Sequence, residues 1–227
     1  MKLCRPCLLV CLNSFIFPAG AAYFNSLVFD MQPDEKFISR PMVNDTSRTN
    51  LYTVSAYKID KPGKHGENRI DGGEMEVVYS PLKFTVQPDG KEYFKLYYRG
   101  PQDDIERYYR VVFKESPIQI FPFRNQNQNT DIIPVVSMST FLVVRPRKAK
   151  LEFKIDEANG TIRNTGNTFF RVIIQKGCNG DDESSTQFYM LPGEEYRSPI
   201  AKANNKKFIV AMGRYQNLGE GCFKSAS

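Results

Sequence analysis

Residues 103–117 read DDIERYYRVVFKESP. Tyr108, Tyr109, Val111, Val112 and Phe113 suit a pleated, half-buried surface, so the run is predicted as one β-strand stopped by Pro117. Two guanidinium groups, Arg107 and Arg110, lie inside it. A buried guanidinium is costly unless it is paired and hydrogen-bonded, so each must face outward or meet an acid.

The same signature recurs along the chain. LVFDM, LYTVSAYKI, MEVVYSPLKFTV, EYFKLYYRG, VVSMSTFLVVRP, KLEFKI, TIRNTG, FFRVIIQ, QFYMLP and KFIVAM are short and rich in Val, Ile, Tyr, Phe and Thr. Turn-forming stretches such as DKPGKHGENRIDGG, QPDG, RGPQDD and LPGEE separate them. No window after the first segment sustains a helical period. The pattern predicts an all-β chain of antiparallel sandwiches, and about eleven strands are too many for one seven-stranded sandwich. Two immunoglobulin-like sandwiches are therefore expected. The boundary falls at RPRKAK, residues 145–150, because Pro146 ends a strand and the charges favour solvent. The predicted units are residues 22–146 and 147–227.

Residues 1–21, MKLCRPCLLVCLNSFIFPAGA, place Lys2 and Arg5 before a short apolar run and an A-G-A site. That is the form of a cleaved secretory signal peptide, too short for a comfortable membrane span. Its removal lowers the net charge from +6 to +4, and no Lys/Arg block of nucleic-acid-binding type remains. Three of the five cysteines leave with it. Cys178 and Cys222 remain, an even pair in an oxidising compartment, and are expected to form a disulfide.

Catalytic patterns are missing. The single histidine, His65, lies in the loop GKHGEN, and no G-x-S-x-G, H-E-x-x-H or phosphate-binding glycine motif occurs. Asp103-Asp104, Asp181-Asp182 and Glu194-Glu195 lie in turns, and the lack of Trp weakens a sugar-binding cleft. The chain is expected not to be an enzyme and to need no cofactor or metal.

One strand is unusual. After Asp131 the chain runs IIPVVSMSTFLVV without a charge until Arg145. Ile132, Pro134, Val136, Met138, Thr140, Leu142 and Val144 form one row, and the opposite row turns polar at Ser137 and Ser139. Pro134 cannot donate to a ladder, which suits an edge. Long uncharged apolar edges are normally avoided. Either this strand is buried in a core, or its edge stays open because another chain pairs with it.

The runs ERYYRVVFKESP, FLVVRPR, GTIRNTGNTFFRVIIQKGC and YMLPGE, in this order, resemble the PapD-like periplasmic chaperones of pilus assembly, in the branch serving the common pilus and alpha-type fimbriae. The resemblance spans the mature chain. It implies two sandwiches in an L-shaped (boomerang) arrangement, and a non-enzymatic chaperone that binds pilin subunits, major or tip. Such a chaperone completes the subunit's fold with a donor strand and delivers it to the outer-membrane usher. On that resemblance the donor positions are Ile132, Pro134 and Val136, continued by Met138 and Thr140, and NQNQNT (residues 125–130) is a flexible connection ordered by the client. The family's basic pair for the client's terminal carboxylate falls on Ser26 and Phe141 here, which puts Arg110 forward as the anchor; the other reading of Arg110 is a structural ion pair. Glu106 and Arg145 match two members of the family's interdomain network, whose third acid falls on Gly213. Self-association of the client-free protein stays open. The competing reading is a structural or adhesive sandwich subunit of the pilus itself.

Overall fold

The computed structural model describes residues 22–63, 66–73, 75–118 and 135–223. The signal segment, His65, the NQNQNT stretch, Ile132 and Pro134 lie outside the described residues. Among the described residues nine strands precede the junction: β1 (Ala22–Tyr23), β2 (Val28–Met31), β3 (Phe37–Asn44), β4 (Asn50–Ile59), β5 (Val77–Ser80), β6 (Lys83–Val86), β7 (Lys91–Tyr98), β8 (Arg107–Pro117) and β9 (Val136–Val144). Seven follow it: β10 (Phe153–Asp156), β11 (Thr161–Asn164), β12 (Phe170–Gln175), β13 (Thr186–Met190), β14 (Glu195–Arg197), β15 (Lys206–Ala211) and β16 (Arg214–Asn217). The described helical structure is a single 3-10 turn, Pro199–Ala201, capped by Ser198.

The first nine strands form two sheets, β1-β3-β7-β5 and β2-β9-β8-β4-β6. Their facing rows close one core, including Phe29, Tyr52, Phe94, Leu96, Phe113 and Leu142. Sheets β10-β11-β14 and β13-β12-β15-β16 enclose a second core around Ile162, Phe170, Val172 and Ile209. This is sheet-on-sheet packing twice over, each core built from the inward half of a period-2 pattern. A third cluster joins Ile59, Tyr108 and Val143 of the first unit to Phe169 and Leu191 of the second.

β8 takes up residues 107–117 of the stretch 103–117 as one continuous strand, and residues 103–106 lead into it. Tyr109, Val111 and Phe113 point into the first core, while Tyr108, Arg110 and Val112 occupy the sheet's outer face. Arg107, at the strand's start, is held by both oxygens of Asp103 at 2.6 and 2.7 Å.

Three details depart from the sequence reading. MEVVYSPLKFTV is two strands in different sheets: Pro81 has no N–H to continue a ladder, and the chain crosses there from β5 to β6. β3 was not anticipated, because Arg40 and Pro41 break its apolar pattern. At Pro41 the strand has β7 on one side only, since β1 covers just Val43 and Asn44, and such a half-open position tolerates proline. The third departure concerns RPRKAK. Arg145 and Pro146 are buried rather than solvated, and Arg147 donates to the carbonyls of Pro33 and Glu35. Only the lysines of that run are exposed. The expected Cys178–Cys222 disulfide is present, with Cα atoms 5.2 Å apart.

Candidate functional site

β9 has two unlike halves. From Phe141 to Val144 it lies between β8 and the parallel strand β2, with Val28 opposite Phe141 and Met31 opposite Val144. From Val136 to Thr140 it pairs with β8 alone, and no described strand covers its other edge. The last contact on that side is the Phe141 N–H donating to the Leu27 carbonyl at 2.9 Å. Burial follows the same gradient. Val136 is 50% exposed, Met138 is half-buried against the first core, and Thr140, Leu142 and Val144 are fully enclosed. Thr140 was expected to continue the client-facing row. It sits instead inside this chain's own core, where its hydroxyl has no hydrogen-bond partner.

Arg110 lies across the ladder from Phe141 on one side and Tyr57 on the other. Its guanidinium stacks over the Phe141 ring, 3.7 Å from the centroid, a face-on arrangement that favours a planar cation. One edge of the fork is filled by Glu67: Nε donates to Oε1 at 3.0 Å and Nη2 donates to Oε2. Nη1 donates to Ser139 Oγ at 3.2 Å. Both charged side chains are 18% exposed. The acids nearest to it in the sequence are engaged elsewhere, Glu115 with Asn50 and Tyr52 and Glu106 at the junction. Ser26 bonds within its own turn to Val28. Arg110 therefore brings a positive charge directly beside Phe141, one of the two positions where the resembled family carries a basic residue.

Glu67 arrives on an arm built back onto β4. The Asp60 N–H donates to the Asn68 carbonyl at 3.0 Å, and the Ile70 N–H donates to the Lys58 carbonyl at 2.9 Å. Asn68 donates its backbone N–H and its side-chain amide to the Asp60 carboxylate at 2.9 and 2.8 Å. Those bonds, with the Lys61 N–H, hold the Asp60 carboxyl down at about 2. The Tyr57 hydroxyl lies 3.4 Å from Glu67 Oε1.

Glu106 and Arg145 converge on the second unit. The Glu106 carboxylate accepts from the Thr168 hydroxyl at 2.6 Å, the Phe169 N–H at 2.9 Å and the Tyr108 hydroxyl at 2.6 Å. Arg145 donates to Thr168 Oγ1 at 2.5 Å and the Phe169 carbonyl at 3.0 Å, and its guanidinium lies over the Phe169 ring. The acid paired with Arg145 is Asp30 of β2, at 2.7 and 2.9 Å; Gly213 forms the β15–β16 turn at φ +70°. Burial pushes the Glu106 carboxyl above its ordinary value, outweighing the donors and Arg145, which pull it down. Among the described residues no group of three His, Cys, Asp or Glu side chains is placed to hold a metal.

The chain is similar to known proteins over most of its length. The family model for the EcpB C-terminal domain matches residues 152–218. The probable fimbrial chaperone EcpE of Escherichia coli K12 is 33% identical over 198 residues, 87% of this chain and 84% of that protein. The probable fimbrial chaperone EcpB of Escherichia coli O157:H7 is 29% identical over 209 residues, 90% of this chain and 93% of its own length. Among solved structures, the class 5 fimbriae chaperone CfaA superposes with a TM-score of 0.52 at 15% identity, covering 87% of this chain and 97% of that one. The Escherichia coli chaperone DraB gives 0.51 at 13%, covering 88% and 96%. These two share the fold. By its identity to EcpE over most of both lengths, the chain belongs to the fimbrial chaperones represented by EcpE and EcpB.

Proposed function

We propose that this chaperone acts in the periplasm, after removal of residues 1–21, by lending the open half of β9 to an incomplete pilin subunit. It then passes the subunit to the outer-membrane usher. The observation that carries the reading is the geometry of the β9 edge. A strand added along Val136–Thr140 in the same direction as β2 would lie end to end with it. Its C-terminus would then stop at Leu27–Val28, opposite Phe141 of β9, whose partner on the other edge is Arg110. Backbone pairing supplies affinity along an edge, and alternate side chains fix the register. Val136 is the described side chain presented for burial in a guest; Ile132 and Pro134, which lie outside the described residues, share its parity in the sequence. Arg110 then meets the guest's terminal carboxylate as a charge-assisted, forked donor.

The test is co-expression with fimbrial subunits, followed by pull-down of the chaperone. Wild type is expected to retain a pilin, and Val136→Asp to lose it while keeping its thermal transition within a degree or two, because that side chain is half exposed. Capture of pilin undiminished by Val136→Asp would overturn the donor-strand reading. A large drop in the transition would show that Val136 is ordinary core.

A further inference from the structure

The carboxylate in the Arg110 fork belongs to the chain itself. We infer that Glu67 is a resident stand-in for the client's terminal carboxylate, a self-occupying latch that a guest must displace before Arg110 can hold it. The inference rests on the anchor role proposed above for Arg110. Three observations carry it. The Nε/Nη2 edge, the one suited to two parallel bonds with a carboxylate, is the edge Glu67 takes. The guanidinium is fixed on its other face by the Phe141 ring, and Nη1 is occupied by Ser139, so it cannot readily turn a second full edge to a newcomer. And Glu67 comes not from β8 or its neighbours in the sheet's outer row but from the arm at residues 66–70, bonded to the end of β4.

An arm held by backbone bonds at Asn68 and Ile70 can swing its Glu67 side chain aside while its own fold persists. With the latch in place the guanidinium is neutralised, and passing anions gain little from it. A terminal carboxylate delivered at the end of a paired strand has a high local concentration and competes effectively, whereas the same group on an unpaired peptide does not. Glu67 thereby makes strand pairing a condition for carboxylate capture, which is a specificity function rather than a structural one.

The experiment uses the mature protein, the variants Glu67→Gln, Arg110→Ala and the double variant, and two probes: an N-acetylated tripeptide with a free C-terminal carboxylate and its C-terminal amide. Binding is followed by NMR of the arginine Nε–H resonances, with thermal transitions confirming the fold. Glu67→Gln is expected to strengthen binding of the acid peptide about tenfold or more, the scale of one charged hydrogen bond, and to leave the amide unchanged. The gain should vanish in the double variant. If Arg110→Ala removes acid binding but Glu67→Gln leaves or weakens it, the latch is overturned and the anchor stands. If acid and amide bind alike in every variant, or neither binds even to Glu67→Gln, the anchor itself fails and the latch with it.

Discussion

Glu106 shows how one carboxyl can join two folded units at a cost that depends on pH. It is buried, and every polar neighbour that the junction offers it is a donor: Thr168, Tyr108 and the Phe169 N–H. Burial nevertheless raises its carboxyl above the ordinary value. Between the ordinary and the raised value, the folded chain keeps a proton that the unfolded chain has released. The stabilisation from this group is thus present below that window and is lost as pH rises through it. Glu106→Gln is expected to flatten the fall in unfolding midpoint as pH rises above the ordinary carboxyl range. Glu106→Ala, which strands three buried donors, should cost about 3 kcal/mol by denaturant titration. An unchanged pH slope in Glu106→Gln would mean that another group sets it. None of these partnerships could be read from the sequence. Arg110 finds Glu67 43 residues away, Glu106 finds Thr168 62 away, and Arg145 finds Asp30 115 away. A sequence shows that a buried cation must have an acid, not which one.

Elements were legible where burial alternates and illegible where it does not. β8 and β9 announce themselves because one row of each is core. β16 does not, because it is an edge strand exposed along its whole length and carries no alternation to read. β9 also shows the limit of parity. Val136, Met138 and Thr140 share a row, yet the first is half exposed and the last fully enclosed, since β2 and the opposite sheet close over the strand only towards its C-terminal end. Period-2 spacing reports the face a side chain takes, not how far along the strand the cover begins. Thr140 supplies the check. Its buried hydroxyl is unpaired, and valine has nearly the same shape without that group. Thr140→Val is expected to stabilise the chain by about 1 kcal/mol, with no loss of client binding. A loss of stability would show that the hydroxyl has a partner after all.

In the whole molecule the two units are secured differently. The first relies on a core of facing aromatic and aliphatic rows. The second adds a covalent tie, Cys178–Cys222, spanning 44 residues. Replacing both cysteines by alanine should lower the stability of the second unit by roughly 2–4 kcal/mol. Thiol titration of unfolded, unreduced protein should find no free thiol in the mature chain; two reactive thiols would refute the pairing. The abrupt start of β2 at Val28, with Leu27 closing the ladder, has a different kind of consequence. On the proposed arrangement it is a wall: a guest strand can advance along β9 until its last residue reaches that point and no further. A polypeptide has a carboxylate at its last residue only once synthesis has finished, and a chain that continues past this place carries an amide there and has nowhere to go. A fixed wall beside a carboxylate receptor therefore amounts to proofreading, in which the chaperone accepts a subunit only when its final residue is in place and so checks that it is complete before it leaves for the fibre.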